Sequence, residues 1–287
     1  MEMEKDWIEI PESDKIEKFQ DYLYEQENAD ATIRKYLTDV KKLYAYLGNE
    51  RKITKKTLLN YKNWLLSKYT VRSVNSMLAA LNRFLDFLGA CFLKVKQVKM
   101  QQSYFLSKEK ELTKQEFQKL VRQARIIKKE WLALVMETIA STGIRISELK
   151  FFTVEYVRRG KIEIYNKGKY RKILVPEIMQ KKLLLYAKQQ KIRKGPIFLD
   201  HFGKPKDRSL IWKEMKCLKE KTGIAGSKIF PHNLRHLFAR IFYKHTRNLA
   251  GLADVLGHSN MNVTRIYTLE TEEMYYKQLE RMEILEI

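Results

Sequence analysis

The hexapeptide Pro231–His236, PHNLRH, holds two of the chain's five histidines together with an arginine. His232 and Arg235 are three positions apart, so they are neighbours on one face if the segment is helical. A guanidinium group presents planar, paired N–H donors to phosphate oxygens, and an imidazole can donate to or accept from the same phosphate. The segment therefore predicts one half of a phosphate-binding active site.

A zinc site is the alternative interpretation, because His232 and His236 are four positions apart. Metallopeptidases with this spacing need a glutamate directly after the first histidine as general base, whereas this chain has Asn233. The sequence offers no clear third ligand, and it lacks the GxxxxGK[ST] pattern of a phosphate-binding loop. We therefore expect neither a metal nor another cofactor.

Phosphoryl transfer without a metal needs more than one arginine and one histidine. It requires further positive charge on the phosphate oxygens, a nucleophile, and an acid for the leaving oxygen. A phenol becomes a covalent nucleophile where nearby cations stabilise its phenolate. Candidates for these parts lie elsewhere in the C-terminal half: Arg145, Lys167, His258 and Tyr267.

Neighbouring residues compete for some of these roles. The alternatives to Lys167 as the acid are the basic residues close to it in sequence: Lys161, Lys169, Arg171 and Lys172. We expect Tyr275 and Tyr276 to pack in the last helix, and His236 to be a structural histidine on the inner side of its helix. Glu148, three positions after Arg145, either orients that region or is an exposed helix carboxylate.

The elements that must position these residues follow from periodicity. Apolar spacing predicts helices over residues 12–90, one of them beginning at Asp30 and ending at Gly48. Helices resume at about residue 111 with a Thr113–Glu116 capping box and break at Thr142–Gly143. Alternating isoleucines then predict a β-hairpin with 166–169 near its tip, and helices return from about Glu177.

These segments predict two domains. We expect a helical DNA-binding domain at 1–92, a linker at 93–110 and a catalytic domain at 111–287, ending in an amphipathic helix at about 271–287. The fold class is mainly α: an N-terminal helical bundle and an α+β catalytic domain with a small antiparallel β-sheet. Cys91 and Cys217 lack metal-type spacing, so we expect free, buried thiols in a reducing compartment.

The charge indicates a polyanionic partner. The chain has a formal net charge of +22, and residues 1–30 and 261–287 are acidic, so the basic excess lies between them. Such a field attracts nucleic acid, and no apolar run is long enough to span a bilayer. The acidic N-terminus carries no signal pattern, which favours a cytoplasmic protein. Candidate DNA contacts in the N-terminal helices are Lys35, Lys41, Lys42, Arg72 and Arg83.

Five motifs in order resemble the tyrosine recombinase family of phage-integrase and Xer type: TGIRISEL, NKGKYRKILVP, PHNLRH, LGHSN and RIYT. ATIRKYLTDVKKLYAYLG resembles the family's SAM-like core-binding domain. The resemblance implies that Arg145 and Arg235 clamp the scissile phosphate. His232 and His258 would hydrogen-bond it, and His232 would also help to manage the proton of the nucleophile. Lys167 would protonate the leaving 5′-oxygen, and Tyr267 would attack to form a 3′-phosphotyrosyl link without ATP or metal.

The resemblance also implies partners. It predicts a C-shaped clamp on double-stranded DNA that carries a specific recombination site, and four protomers on two sites. The C-terminal helix would dock in trans, and an accessory DNA-bending or directionality factor could assist. The chain lacks an HPR-like ending and an arm-binding domain, which favours a simple two-domain recombinase of mobile-element type, nucleoid-associated in the cytoplasm. A type IB topoisomerase or a non-catalytic DNA-binding protein remains the alternative.

Overall fold

The computed structural model describes residues 6–10, 16–99, 111–166, 169–257, 261–267, 276 and 280. It divides the chain into two compact units, 1–102 and 103–287. Each unit is mainly helical and contains one two-stranded antiparallel sheet, which confirms the predicted fold class. None of the helices in the described ranges is long and apolar enough to cross a membrane.

The N-terminal unit packs four helices around one apolar core. Phe19, buried completely, meets Phe84 edge-on at 5.0 Å between ring centroids, which joins the first helix to the fourth. The second helix spans the predicted Asp30–Leu47 and is closed by Gly48. The elements are β1 (Trp7–Glu9), α1 (Ile16–Glu25), α2 (Asp30–Leu47), β2 (Lys52–Thr54), α3 (Lys55–Lys68) and α4 (Val71–Phe87).

Strand β2, which pairs with β1, interrupts the region at 12–90 that the sequence predicted to be helical. Trp7 pairs with Thr54 and Glu9 with Lys52 in antiparallel register. Three-residue strands are too short to show a two-residue hydrophobic alternation, so periodicity could not find them. Thr54 then caps α3 by accepting from the Thr57 N–H at 3.2 Å.

The first residues of the predicted linker, 93–110, pack on the N-terminal unit. Leu93 and Val95 are buried in its core. The amide of Asn82 on α4 accepts from the Val95 N–H and donates to the Val95 carbonyl, both at 2.9 Å. Asn75, seven residues earlier on α4, holds Val98 in the same way at 2.8 and 2.9 Å. Hydrogen bonds to the main chain therefore fix this segment through 98, whereas the sequence showed only a loss of periodicity.

The C-terminal unit is built around α6, whose residues are buried on nearly every side. The capping box predicted at Thr113–Glu116 is confirmed at the start of the first helix of this unit: Thr113 accepts from the Glu116 N–H at 3.1 Å, and Glu116 accepts from the Thr113 N–H at 2.8 Å. The elements are α5 (Lys114–Ile126), α6 (Glu130–Thr142), α7 (Val154–Arg159), β3 (Lys161–Asn166), β4 (Lys169–Leu174), α8 (Glu177–Gln189), α9 (Arg208–Thr222), α10 (Pro231–Thr246), α11 (Leu249–Leu256) and α12 (Met261–Arg265).

The predicted hairpin is confirmed, with β3 and β4 paired from Lys161–Leu174 to Asn166–Lys169. Ile162, Ile164 and Ile173 face the core of the unit and are at most 2% exposed.

The expectation of buried cysteines is wrong. Cys91 and Cys217 are free and exposed, since both lie on the polar side of their helical turns.

We predict that Asn82→Ala lowers the free energy of unfolding by about 1–3 kcal/mol, because it removes two hydrogen bonds to a half-buried main chain. Denaturant titration measures the change. The control is Asn60→Ala, at an exposed position of α3. Equal stability of the two variants would show that Asn82 does not anchor the segment.

Candidate active site

Three arginines converge on the C-terminal end of α11. The carbonyl oxygens of three successive residues each accept from a different guanidinium group. Val255 accepts from Arg171 at 2.8 Å, Leu256 from Arg235 at 2.8 Å and Gly257 from Arg145 at 3.3 Å. Carbonyls at a helix C-terminus lack intrahelical partners and carry the negative end of the helix dipole, so they suit cations.

Arg235 is the most deeply buried of the three, at 3% exposure. It lies in the second turn of α10 and donates to the Gly143 carbonyl at 2.7 Å as well as to Leu256. Burial, followed by the charges of Arg145 and Arg171, lowers its pKa to about 10, so the guanidinium stays protonated at neutral pH. Gly143 ends α6 at φ +64°, and a Cβ there would lie 2.4 Å from the Phe238 ring. Glycine therefore allows α6 to end beside Phe238, with its last carbonyl directed at Arg235.

Arg145 and Arg171 share one carboxylate. Glu148 accepts from Arg145 Nη1 at 3.2 Å and from the Arg145 main-chain N–H at 2.7 Å. Arg171 Nη1 contacts both carboxylate oxygens, at 2.6 and 2.5 Å. Because Glu148 is only 6% exposed, the interpretation as an exposed carboxylate is wrong, and the orienting interpretation agrees with these contacts.

Arg171 is a member of this cluster that the sequence did not identify. It appeared only as one of several basic residues near Lys167, although its alternation with Ile173 on β4 places both on the inner face of the hairpin. Its side chain is 9% exposed, and burial lowers its pKa. Gly257, at φ +63°, makes room for it, since a Cβ there would lie 2.6 Å from Arg171 Cδ.

An open cleft of about 1270 Å³ adjoins the arginine cluster. Arg145, 39% exposed at its side chain, lines it together with Glu148, Arg171 and Gly257. A guanidinium has five N–H donors, and the bonds from Arg145 to Glu148 and Gly257 use two of them. The remaining donors of Arg145 can therefore bind an anion in the cleft.

Tyr267 lies within the electrostatic reach of two of these arginines, Arg145 and Arg235. Its side chain is 9% exposed and packs on Ala239, Leu252 and Leu256. Burial raises its pKa above the ordinary value of 10.0, while Arg235, Arg240 and Arg145 act in the opposite direction. Cations thus partly offset the cost of forming a buried phenolate.

His236 contacts this tyrosine, so its assignment as a purely structural histidine is incomplete. His236 Nδ1 lies 2.8 Å from the Tyr267 hydroxyl oxygen. Burial, followed by His232, Arg240 and Arg235, lowers the pKa of His236 to about 4. His232 lies one turn earlier on α10 and is exposed, and partial burial together with Arg235 and Arg145 lowers its pKa. Both imidazoles are therefore neutral at physiological pH.

Other predicted residues are not brought to this cluster or cannot be placed. Lys167, His258, Tyr275 and most of the C-terminal helix at 271–287 lie outside the described residues. Tyr276 is 65% exposed, so the expectation that it packs in a core is wrong. No group of three or more histidine, cysteine or acidic side chains within the described ranges could hold a metal ion.

The predicted DNA contacts of the N-terminal unit fall at separate places. Lys35 and Arg72 line one cleft of about 480 Å³ between α2 and α4, with Asp39, Ser73 and Ser76, and Lys35 forms an ion pair with Asp39 there. Lys42 lies over the Tyr69 ring, 4.4 Å from its centroid, and Lys41 is exposed elsewhere on α2. Arg83 turns towards α1, where it lies 5.8 Å from the Tyr22 ring centroid. Lys35 and Arg72 are thus the two candidates that share one cleft, and the charge of Lys35 is offset there by Asp39.

We predict that Glu148→Gln lowers the free energy of unfolding by about 3 kcal/mol or more, since breaking a buried ion pair leaves Arg171 without a counter-charge. The matched control is Glu163→Gln on the same hairpin, whose half-exposed ion pair with Lys172 should contribute about 1 kcal/mol or less. Denaturant unfolding of both variants measures the difference. If both variants lose only about 1 kcal/mol of unfolding free energy, Glu148 does not hold the arginine cluster together.

The lowered pKa of His236 predicts a loss of stability in acid. Between pH 6.5 and pH 4 the unfolded chain binds a proton on this residue that the native protein excludes, so the free energy of unfolding falls as the pH falls. The loss between pH 7.5 and pH 5 should be about 2 kcal/mol. His236→Leu should remove it, whereas His245→Leu, at an exposed position, should retain it. If the free energy of unfolding of His236→Leu depends on pH as that of the wild type does, the prediction is wrong.

Comparisons with known proteins agree with this arrangement. The Phage integrase family matches residues 110–274, and the Phage integrase N-terminal SAM-like domain matches residues 16–90. The chain is 27% identical over 293 residues to the tyrosine recombinase XerA of Pyrococcus horikoshii, with 98% of both chains covered.

Solved structures share the fold. The XerH site-specific recombinase bound to difH substrate gives a TM-score of 0.70 at 19% identity, covering 95% of this chain and 85% of that one. A lambda integrase tetramer bound to a Holliday junction gives a TM-score of 0.71 at 17% identity, covering 90% and 77%. The family match spans more than half of the chain, and it coincides with the unit in which three arginines and a buried tyrosine meet. The chain belongs to the phage integrase family and is an enzyme of the tyrosine recombinase class.

Proposed function

We propose that this protein cleaves and rejoins double-stranded DNA at a specific site through a 3′-phosphotyrosyl intermediate. The observation that carries the proposal is the convergence of Arg145, Arg235 and Tyr267, which are distant in sequence. Both arginines donate to the C-terminal end of α11 and act electrostatically on Tyr267, and Arg145 lines the open cleft. A scissile phosphate carries one negative charge, and the cluster supplies three guanidinium groups against one buried carboxylate. Its excess charge therefore suits a phosphodiester and the further charge of its transition state.

The proposed chemistry assigns each group one part. Arg145 and Arg235 bind the non-bridging oxygens, and His232, exposed beside them, hydrogen-bonds the same phosphate. The Tyr267 oxygen attacks phosphorus as its proton passes to the neutral imidazole of His232, and the bond to the 5′-oxygen breaks. Lys167 protonates that oxygen, and His258 supports the phosphate. A 5′-hydroxyl of a partner strand then displaces the tyrosine and restores the phosphodiester, so no outside energy source is consumed.

The partners follow the same proposal. XerH in the solved structure is bound to difH substrate, and lambda integrase forms a tetramer on a Holliday junction. By analogy, we propose a DNA clamp formed by the two units and four protomers on two DNA sites, with the C-terminal helix at 271–287 docking in trans. Lys35 and Arg72, in their polar cleft, would contribute phosphate contacts from the N-terminal unit.

We predict that Tyr267→Phe abolishes covalent attachment to DNA and leaves DNA binding within about twofold, because it removes one oxygen and preserves the buried ring. The protein is incubated with fragmented genomic DNA and denatured in SDS, and the attached DNA is sequenced. A 3′-phosphotyrosyl link also leaves a free 5′-hydroxyl, which polynucleotide kinase labels without phosphatase treatment.

The control is Tyr276→Phe, at an exposed position, which should attach DNA as the wild type does. Attachment enriched at one sequence supports a site-specific recombinase. Scattered attachment would instead support a topoisomerase-like enzyme. Absence of attachment with the wild type, or attachment that persists in Tyr267→Phe, would contradict the proposed nucleophile.

A further inference from the structure

The hydrogen bond between Tyr267 and His236 has no part in the mechanism above. The two atoms, Tyr267 Oη and His236 Nδ1, are 2.8 Å apart, and the ring centroids are 5.4 Å apart. His236 lies one turn beyond His232 on α10, and their ring centroids are 6.4 Å apart. One helix therefore presents an exposed histidine beside the arginines and a half-buried histidine at the hydroxyl of the tyrosine.

The chemistry of the two groups fixes the direction of this bond. A neutral imidazole has one nitrogen that donates and one that accepts. The groups that face His236 are His232, Arg235, Arg240 and Tyr267, and the two arginines disfavour a second proton on the ring. A phenol is a stronger donor than acceptor, because its oxygen lone pair is delocalised into the ring. The Tyr267 O–H therefore donates to Nδ1, and His236 carries its proton on Nε2.

We propose that His236 is a catalytic residue that holds the Tyr267 hydroxyl in place for attack by accepting its hydrogen bond through Nδ1. The proposal rests on the function proposed above, since it concerns the same nucleophile. It adds to the phosphate-binding residues one that contacts the attacking atom before DNA is present.

The position of Tyr267 explains why its oxygen needs such a contact. The tyrosine follows α12, a helix of only five residues, and its main-chain N–H donates to the Thr264 carbonyl at 3.0 Å. Apolar contacts with Ala239, Leu252 and Leu256 bury the ring but do not direct its oxygen. Because a displacement of about 1 Å in a reacting group can cost about 100-fold in rate, a directional contact at the oxygen has a measurable value.

The contact orients the hydroxyl in the resting site, where the proton stays on the phenol. The pKa of His236 is about 4, whereas that of Tyr267 lies above 10.0. At equilibrium fewer than about one in a million molecules would have moved the proton from the phenol to this imidazole. An uncharged acceptor at the position of Nδ1 should therefore replace the imidazole, and asparagine offers one, because its Oδ1 reaches nearly the same point.

The test compares His236→Asn with His236→Leu in the full-length protein. The measurement is the single-turnover rate of SDS-resistant complex formation with fragmented genomic DNA, together with DNA affinity by filter binding. We expect His236→Asn to cleave within about threefold of the wild type and His236→Leu about 10- to 100-fold more slowly, with DNA affinity unchanged in both. His245→Leu, at an exposed position on the same helix, is the matched control and should behave as the wild type.

Two results would overturn the role of His236 while leaving the proposed function intact. One is a His236→Leu variant that cleaves at the wild-type rate. The other is a His236→Asn variant that is as slow as His236→Leu although circular dichroism shows both to be folded. A wild type that attaches no DNA would instead contradict the proposed function and, with it, the catalytic role.

A second measurement tests the contact without any activity. With only five histidines, a ¹⁵N-histidine spectrum can be assigned by comparison with His236→Asn. We expect His236 to show a protonated Nε2 and an unprotonated, hydrogen-bonded Nδ1, whose shift changes in Tyr267→Phe. A protonated Nδ1, or a spectrum unaffected by Tyr267→Phe, would overturn the proposed contact.

Discussion

The C-terminal end of α11 is the constraint on which the rest of the candidate site depends. Three guanidinium groups that would otherwise repel one another are held together by three successive carbonyls and by one carboxylate. Burying cations without such partners would cost several kcal/mol for each. The helix end thus converts an unfavourable concentration of charge into a stable one, and Glu148 neutralises only part of it. The remaining charge is available to an anionic substrate.

This arrangement also explains the two glycines that close α6 and α11. Gly143 and Gly257 both have positive φ, and each lies where a Cβ would overlap a neighbour within 2.6 Å. Both supply a carbonyl to the arginine cluster, Gly143 to Arg235 and Gly257 to Arg145. The same residues thus end a helix, admit a bulky neighbour and accept a hydrogen bond. A larger residue at either position would displace the carbonyl as well as the chain.

The sequence predicted the parts of the site that local spacing encodes. The three-residue interval of His232 and Arg235, the Gly143 break and the alternating isoleucines of the hairpin each leave a pattern within a few residues. The contacts between Arg171 and Glu148 and between His236 and Tyr267 join residues 23 and 31 positions apart, so no local period marks them. The sequence did not predict the hydrogen bonds of Asn75 and Asn82 for a related reason. These side chains bind main-chain groups, which every residue carries.

Arg171 links the hairpin to the phosphate-binding residues. It holds Glu148, which orients Arg145, and it donates to Val255, one residue before the carbonyl that binds Arg235. Because both bonds come from one planar group, β4 cannot shift relative to α11 without breaking at least one of them. A single buried arginine therefore ties β4 to the C-terminal end of α11 and to the carboxylate that orients Arg145, so it helps to keep the cation that lines the cleft in position.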